Sequence, residues 1–182
     1  MTTRNENYTF EVEYFKRDIE RDAWDKISID YSLPWSTIFI DKNCDKLNWE
    51  LLSKNIGIVW SEALIDKYKH KIDWTAFTKF YFSWGREVVN NCFEIIKKFE
   101  QFWDWKELSK ANITYKVIEE YAHRLDWEEI IYNHRINWNY EMFDKCSKYI
   151  LIADISDFKR SKLWDNLAEN EAKIIVGKLL SE

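Results

Sequence analysis

The side chains of this 182-residue chain best suited to nucleophilic or metal chemistry are His70, His123 and His134, with Cys44, Cys92 and Cys146. A hydrolytic metal site needs ligands at a fixed helical spacing such as H-E-x-x-H, and no such spacing is present. With three glycines, neither G-x-G-x-x-G nor G-x-x-x-x-G-K can be written, so loops of these two kinds for cradling phosphate are excluded. The cysteines are odd in number and lack a C-x-x-C pair, which fits a reducing compartment better than a disulfide framework. The residue that stands out is tryptophan. There are eleven, each able to fill a core or to stack on a nucleobase, a peptide aromatic or a cation.

The tryptophans recur at intervals. Trp24, Trp49 and Trp74 lie 25 residues apart, and Trp105 and Trp127 continue the series at 31 and 22. A second tryptophan follows eleven residues later at Trp35, Trp60 and Trp138, and ten later at Trp84. In the shortened fourth unit Ile113 takes that place. This is a tandem array of five degenerate repeats, and the elements that must position its side chains follow from it.

Each half of a repeat carries its own helix-start signal. Before the first tryptophan stands Asn48, Asp73, Asp104 or Asp126, an N-cap whose oxygen accepts an orphan backbone N–H. Leu47, Ile72, Trp103 and Leu125 precede these caps, and Leu52, Phe77, Leu108 and Ile130 follow five positions later, the spacing of a hydrophobic staple. Glu107 and Glu129 sit three residues after their caps and predict capping boxes. The second helix starts after Ser36, Ser61, Gly85, Thr114 or Asn139. Three residues on come Phe39, Leu64, Val88, Val117 and Met142; seven on come Asn43, Tyr68, Cys92, Tyr121 and Cys146. These positions share one helix face and are expected to point inward. His70 and His123 fall at equivalent places that other repeats fill with Asp45, Glu94 and Lys148, which reads as an exposed site. The basic clusters, Lys67, Lys69, His70 and Lys71 and then Lys97 with Lys98, read as solvated faces.

The third repeat carries an insertion, Val89 to Phe102, read as a lengthened second helix. At the N-terminus, Tyr8, Phe10, Val12 and Tyr14 alternate like a strand, whereas Phe15, Ile19 and Ile27 extend an amphipathic helix from about Glu13; the helix is preferred. A small ribbon pairing that segment with residues 149–153 is the alternative. Trp164 to Leu180 reads as a terminal capping helix or a decayed sixth unit. The pattern resembles uncharacterised bacterial proteins with tandem D-W-x-x-L-S-x-N-x-x-I-x-W repeats, over about Trp24 to Tyr149. That resemblance implies an all-helical array and carries no established activity.

The scarcity of glycine, with a single proline, also favours helices joined by short loops over a β-sandwich. The expected fold is all-α: a solenoid-like array of short helix-loop-helix repeats in one domain, with an N-terminal cap over 1–22, repeats over 23–151 and a C-terminal capping helix over 152–182. Met1 to Tyr14 lacks the apolar core of a signal peptide and no run approaches 18 apolar residues, so a cytoplasmic protein is expected. The net charge of −5 repels a long anionic polymer on average. No catalytic residue, metal ligand or cofactor is assigned. The expected function is a non-catalytic module that binds another protein, with an inhibitor or immunity-type protein as one form of it. The alternative is a nucleic-acid or nucleotide binder. Trp24, Trp49, Trp74, Trp105 and Trp127 are expected to be structural, and Trp35, Trp60, Trp84 and Trp138, at loop-to-helix junctions, are the candidate binding residues.

Overall fold

A computed structural model describes residues 3–83, 92–150 and 158–181. Among these the fold is all-helical, without a strand, and none of the helices is long and apolar enough to cross a membrane. The chain forms two compact bodies, residues 1–81 and 82–182, with the division falling inside the third repeat. The first body holds α1 (Thr3–Ile29), α2 (Thr37–Asn43), α3 (Trp49–Ser53), α4 (Glu62–Tyr68) and most of α5 (Trp74–Ser83). The second holds α6 (Cys92–Lys98), α7 (Trp105–Ser109), α8 (Tyr115–Tyr121), α9 (Trp127–Tyr132) and α10 (Tyr140–Cys146). A 3-10 turn at Ser147–Tyr149 follows, then α11 (Lys162–Leu179). In each body short helices pack against sequence neighbours, which makes a repeat-like array.

The N-terminus adopts the preferred helix, and α1 runs without a break into the first helix of the first repeat. Residues 84–91 and 151–157, with Trp84, Gly85, Val88, part of the third-repeat insertion and most of the alternative ribbon segment, lie outside the described residues.

Helices of five to seven residues are mostly ends, so their orphan groups decide whether they form. The caps are where the sequence places them. Asn48 accepts from Leu51 N–H, Asp73 from Ala76, Asp104 from Glu107, and Asp126 from Glu128 and Glu129. Ser36, Ser61 and Asn139 cap the second helices alike, while the Thr114 side chain makes no cap bond. The staple pairs Leu47–Leu52, Ile72–Phe77, Trp103–Leu108 and Leu125–Ile130 are all buried.

The predicted capping boxes are not what closes the caps. The backbone N–H of Asp126 donates to Ser109 Oγ (2.9 Å), a hydroxyl of the preceding repeat. Glu129 and Glu107 turn instead toward Lys110. The same bond joins Asn48 N–H to Ser28 and Asp73 N–H to Ser53, at 2.9 and 3.0 Å. Each of these serines donates its own proton to the carbonyl four residues back, of Trp24, Trp49 or Trp105. The serines are buried, and the relay ties one repeat's first helix to the start of the next.

A second tie is a buried asparagine. Asn55 donates to the carbonyls of Ser28 and Asp30 in the preceding repeat and accepts from Gly57 N–H. Asn133 does the same with Ser109, Ala111 and Arg135 N–H. In α11, Asn166 and Asn170 hold the Trp138 N–H and carbonyl from the other side, with Leu163 and Leu167 buried beside them.

These ties predict stability. Ser109→Ala removes both hydroxyl bonds and strands the Asp126 N–H, so urea unfolding should show a loss of about 2 kcal/mol. The exposed Ser147→Ala should be near neutral and serves as the control. Gly57 lies against the Tyr31 backbone, whose Cα would sit 2.9 Å from an added Cβ, so Gly57→Ala should cost about 1–3 kcal/mol. In α11, a Cβ at Gly177 meets nothing within 4 Å, so Gly177→Ala should stabilise by up to about 1 kcal/mol.

Candidate functional site

Where side chains for catalysis would be sought, the structure disperses them. His70, His123 and His134 are exposed on separate repeats. Among the described residues no three His, Cys, Asp or Glu side chains group closely enough to hold a metal ion. Cys146 is buried on the inward face of α10, where burial pushes its thiol up from the ordinary range; Cys44 is half-buried. Lys67, Lys69 and Lys71 pair with Asp41, Asp66 and Asp45. The bonds from Lys67 and Lys71 hold the Asp41 and Asp45 carboxyls below the usual range.

The first-tryptophan column closes helix ends. The indole N–H of Trp49 donates to the Cys44 carbonyl, that of Trp74 to Lys69 and that of Trp127 to Ala122. Cys44, Lys69 and Ala122 are the C-caps of α2, α4 and α8, so each indole satisfies an orphan carbonyl of the helix before it. A cation two residues before the next cap covers the ring: Lys46 over Trp24, Lys71 over Trp49 and Arg124 over Trp105, 5.4, 5.9 and 4.5 Å from the centroids. On Trp49 and Trp105 the other neighbour is Tyr68 or Tyr121, at 4.7 and 5.0 Å. Trp105 is the exception in its N–H, which is buried with no acceptor among the described residues.

The second column, expected to face a ligand, lies deeper. Trp138 is 0% exposed and Trp60 7%, with Phe77 of the next repeat 5.1 Å from the Trp60 ring. Neither has a face left for a partner. Trp84 lies outside the described residues. Trp35 alone of the four is described as half-buried, and its N–H donates to the Asp30 carbonyl at 2.7 Å.

Among the hollows of the described residues, two concern these side chains. One, of about 440 Å³, is lined by Lys110, Glu129, Tyr132, Asn133, His134 and Arg135. Its charges are largely committed, Lys110 to Glu107 and Glu129 and the Arg135 guanidinium to the Lys110 carbonyl. The other, about 260 Å³, is lined by Ile27, Leu33, Pro34, Trp35 and Phe39 and is almost wholly apolar. Phe39 meets Trp35 edge to face at 5.5 Å. Ile29, Tyr31 and Ile38, interleaved with this lining along the chain, are 50, 68 and 67% exposed. The chain matches no known family model, no curated protein and no solved structure.

Thiol chemistry checks the burial pattern. In a Cys92→Ser background, Cys44 should react with an aromatic disulfide reagent well before Cys146, which should respond only on unfolding. Equal rates for the two thiols in the folded protein would contradict the inward placement of Cys146.

Proposed function

We propose that the protein is a non-catalytic interaction module, an array of Trp-rich helical repeats whose 1–81 body binds another protein. The observation that carries this reading is the apolar hollow at Trp35 with Ile29, Tyr31 and Ile38 exposed beside its lining. Large apolar side chains concentrated in one stretch around a hollow favour a protein partner, since single exposed ones are normally scattered. Base stacking is less well served, because Trp60 and Trp138 are occupied by the core and the Trp35 N–H is already committed. A nucleobase edge would find almost no polar group in the hollow. With a net charge of −5, an inhibitor or immunity-type protein directed at a basic partner is one form of this function.

The test is affinity capture from the source cell with the wild-type chain and with Ile38→Glu, followed by mass spectrometry. A stoichiometric protein retained by the wild type and lost by the variant, at unchanged melting temperature, is the expected result. Recovery independent of Ile38 would place the interface elsewhere. Salt-sensitive quenching of tryptophan fluorescence by single-stranded DNA or RNA would replace the reading with the nucleic-acid one.

A further inference from the structure

Four of the five residues lining the 260 Å³ hollow stand at core positions of the repeat. Ile27 stands three residues after Trp24, where repeats 2, 4 and 5 have Leu52, Leu108 and Ile130, each 0% exposed. Leu33 stands where Ile58, Ala111 and Ile136 are buried, and Trp35 where Trp60, Ile113 and Trp138 are buried. Phe39 stands where Leu64, Val117 and Met142 are buried. In repeat 1 all four are only half-buried. Four columns that are closed at the positions cited in other repeats are open together at one place.

What closes one of them inside the first body is visible. Phe77 occupies in repeat 3 the position of Ile27; beside Trp74 and Tyr81 of its own repeat, the ring set against it from the preceding repeat is Trp60, edge to face at 5.1 Å. Trp24 opens the array, and no preceding repeat among the described residues sets a ring against Ile27. The hollow therefore continues the seam between repeats onto the face of the first one. Its volume is below the roughly 300–1,000 Å³ of sites for drug-sized ligands, which restricts it to a group about as large as one side chain. Almost entirely apolar, and with its indole N–H already spent on Asp30, the lining selects an uncharged ring.

We infer that this pocket receives one aromatic side chain, tryptophan or phenylalanine, of the partner protein, in the seat that Trp60 fills against Phe77 within the array. The inference rests on the interaction-module reading and supplies the anchor chemistry of its partner. Buried aromatic anchors of this kind dominate protein interfaces.

The experiment uses the full chain with isoleucine and leucine methyl groups labelled for NMR, and N-acetyl-L-tryptophanamide as the probe. Saturable shifts confined to Ile27, Leu33 and Ile38 are expected, with a dissociation constant on the order of millimolar. N-acetyl-L-leucinamide should bind at least about tenfold more weakly, as an aliphatic group forgoes the ring contacts. Leu33→Trp fills the pocket and should abolish the shifts; intermolecular NOEs between probe and the Leu33 and Ile27 methyls test the site without any substitution. No shift up to the solubility of the probe, or shifts spread evenly over other aromatic clusters, overturns the inference. So does a shift of these methyls with protein concentration alone, which would assign the seat to a second copy of the chain. If the captured protein depends on Ile38 but is retained by Leu33→Trp, the anchor fails while the interaction module stands; if nothing is captured, the module itself fails.

Discussion

The constraint on which the rest depends is the shortness of the helices. In α3 and α7, five residues each, nearly every peptide group lies within a turn of an end and lacks an intrahelical partner. Such segments do not hold themselves in water. The chain answers with donors and acceptors borrowed from the adjacent repeat: a serine hydroxyl for the N-cap amide, an indole N–H for a C-cap carbonyl, and an asparagine for two further carbonyls. Hydrophobic burial then operates on elements already held in register. Leu52, Leu108 and Ile130 reach full burial on helices that are barely one or two turns long.

The caps, the staples and the inward columns of repeats 2, 4 and 5 were legible in the sequence because they are local. An N-cap and the N–H that donates to it lie within three residues, and a staple within five, so the spacing of Asp126, Leu125 and Ile130 was enough. The serine relay was not legible from one repeat. Ser53 reads as an ordinary helix residue until the Asp73 amide, 20 residues on, is placed over it. The capping-box reading of Glu129 failed for the same reason, since a non-local hydroxyl had already taken the amide. A signal was present in the recurrence of Ser at Ser28, Ser53 and Ser109, and of Lys46, Lys71 and Arg124 two residues before the next cap.

The candidate site was legible only in part. Second-column tryptophans looked accessible because they adjoin loops, but loop adjacency says nothing of what packs on top. Trp60 and Trp138 are enclosed by Phe77 and by the residues around Asn166, whereas Trp35 stands where the same enclosure is incomplete. The difference is positional within the array and has no mark in the tryptophan itself. By contrast, the first column is only half-buried: Trp49, Trp74 and Trp127 bond C-cap carbonyls, and cations lie over Trp24, Trp49 and Trp105.

The asparagine tie has a consequence for how such a chain can change over time. Asn55 and Asn133 address backbone oxygens, and every residue carries one. The positions they grip are Ser28 and Asp30 in one case and Ser109 and Ala111 in the other, with no side chain required of the gripped residue at the second position. A neighbour held in this way is free to drift in sequence without loosening the joint. The tie joins units whose first tryptophans lie 25 and 22 residues apart, so it tolerates a change of three residues in spacing. Units joined in this way can diversify their outward residues while the joint is kept.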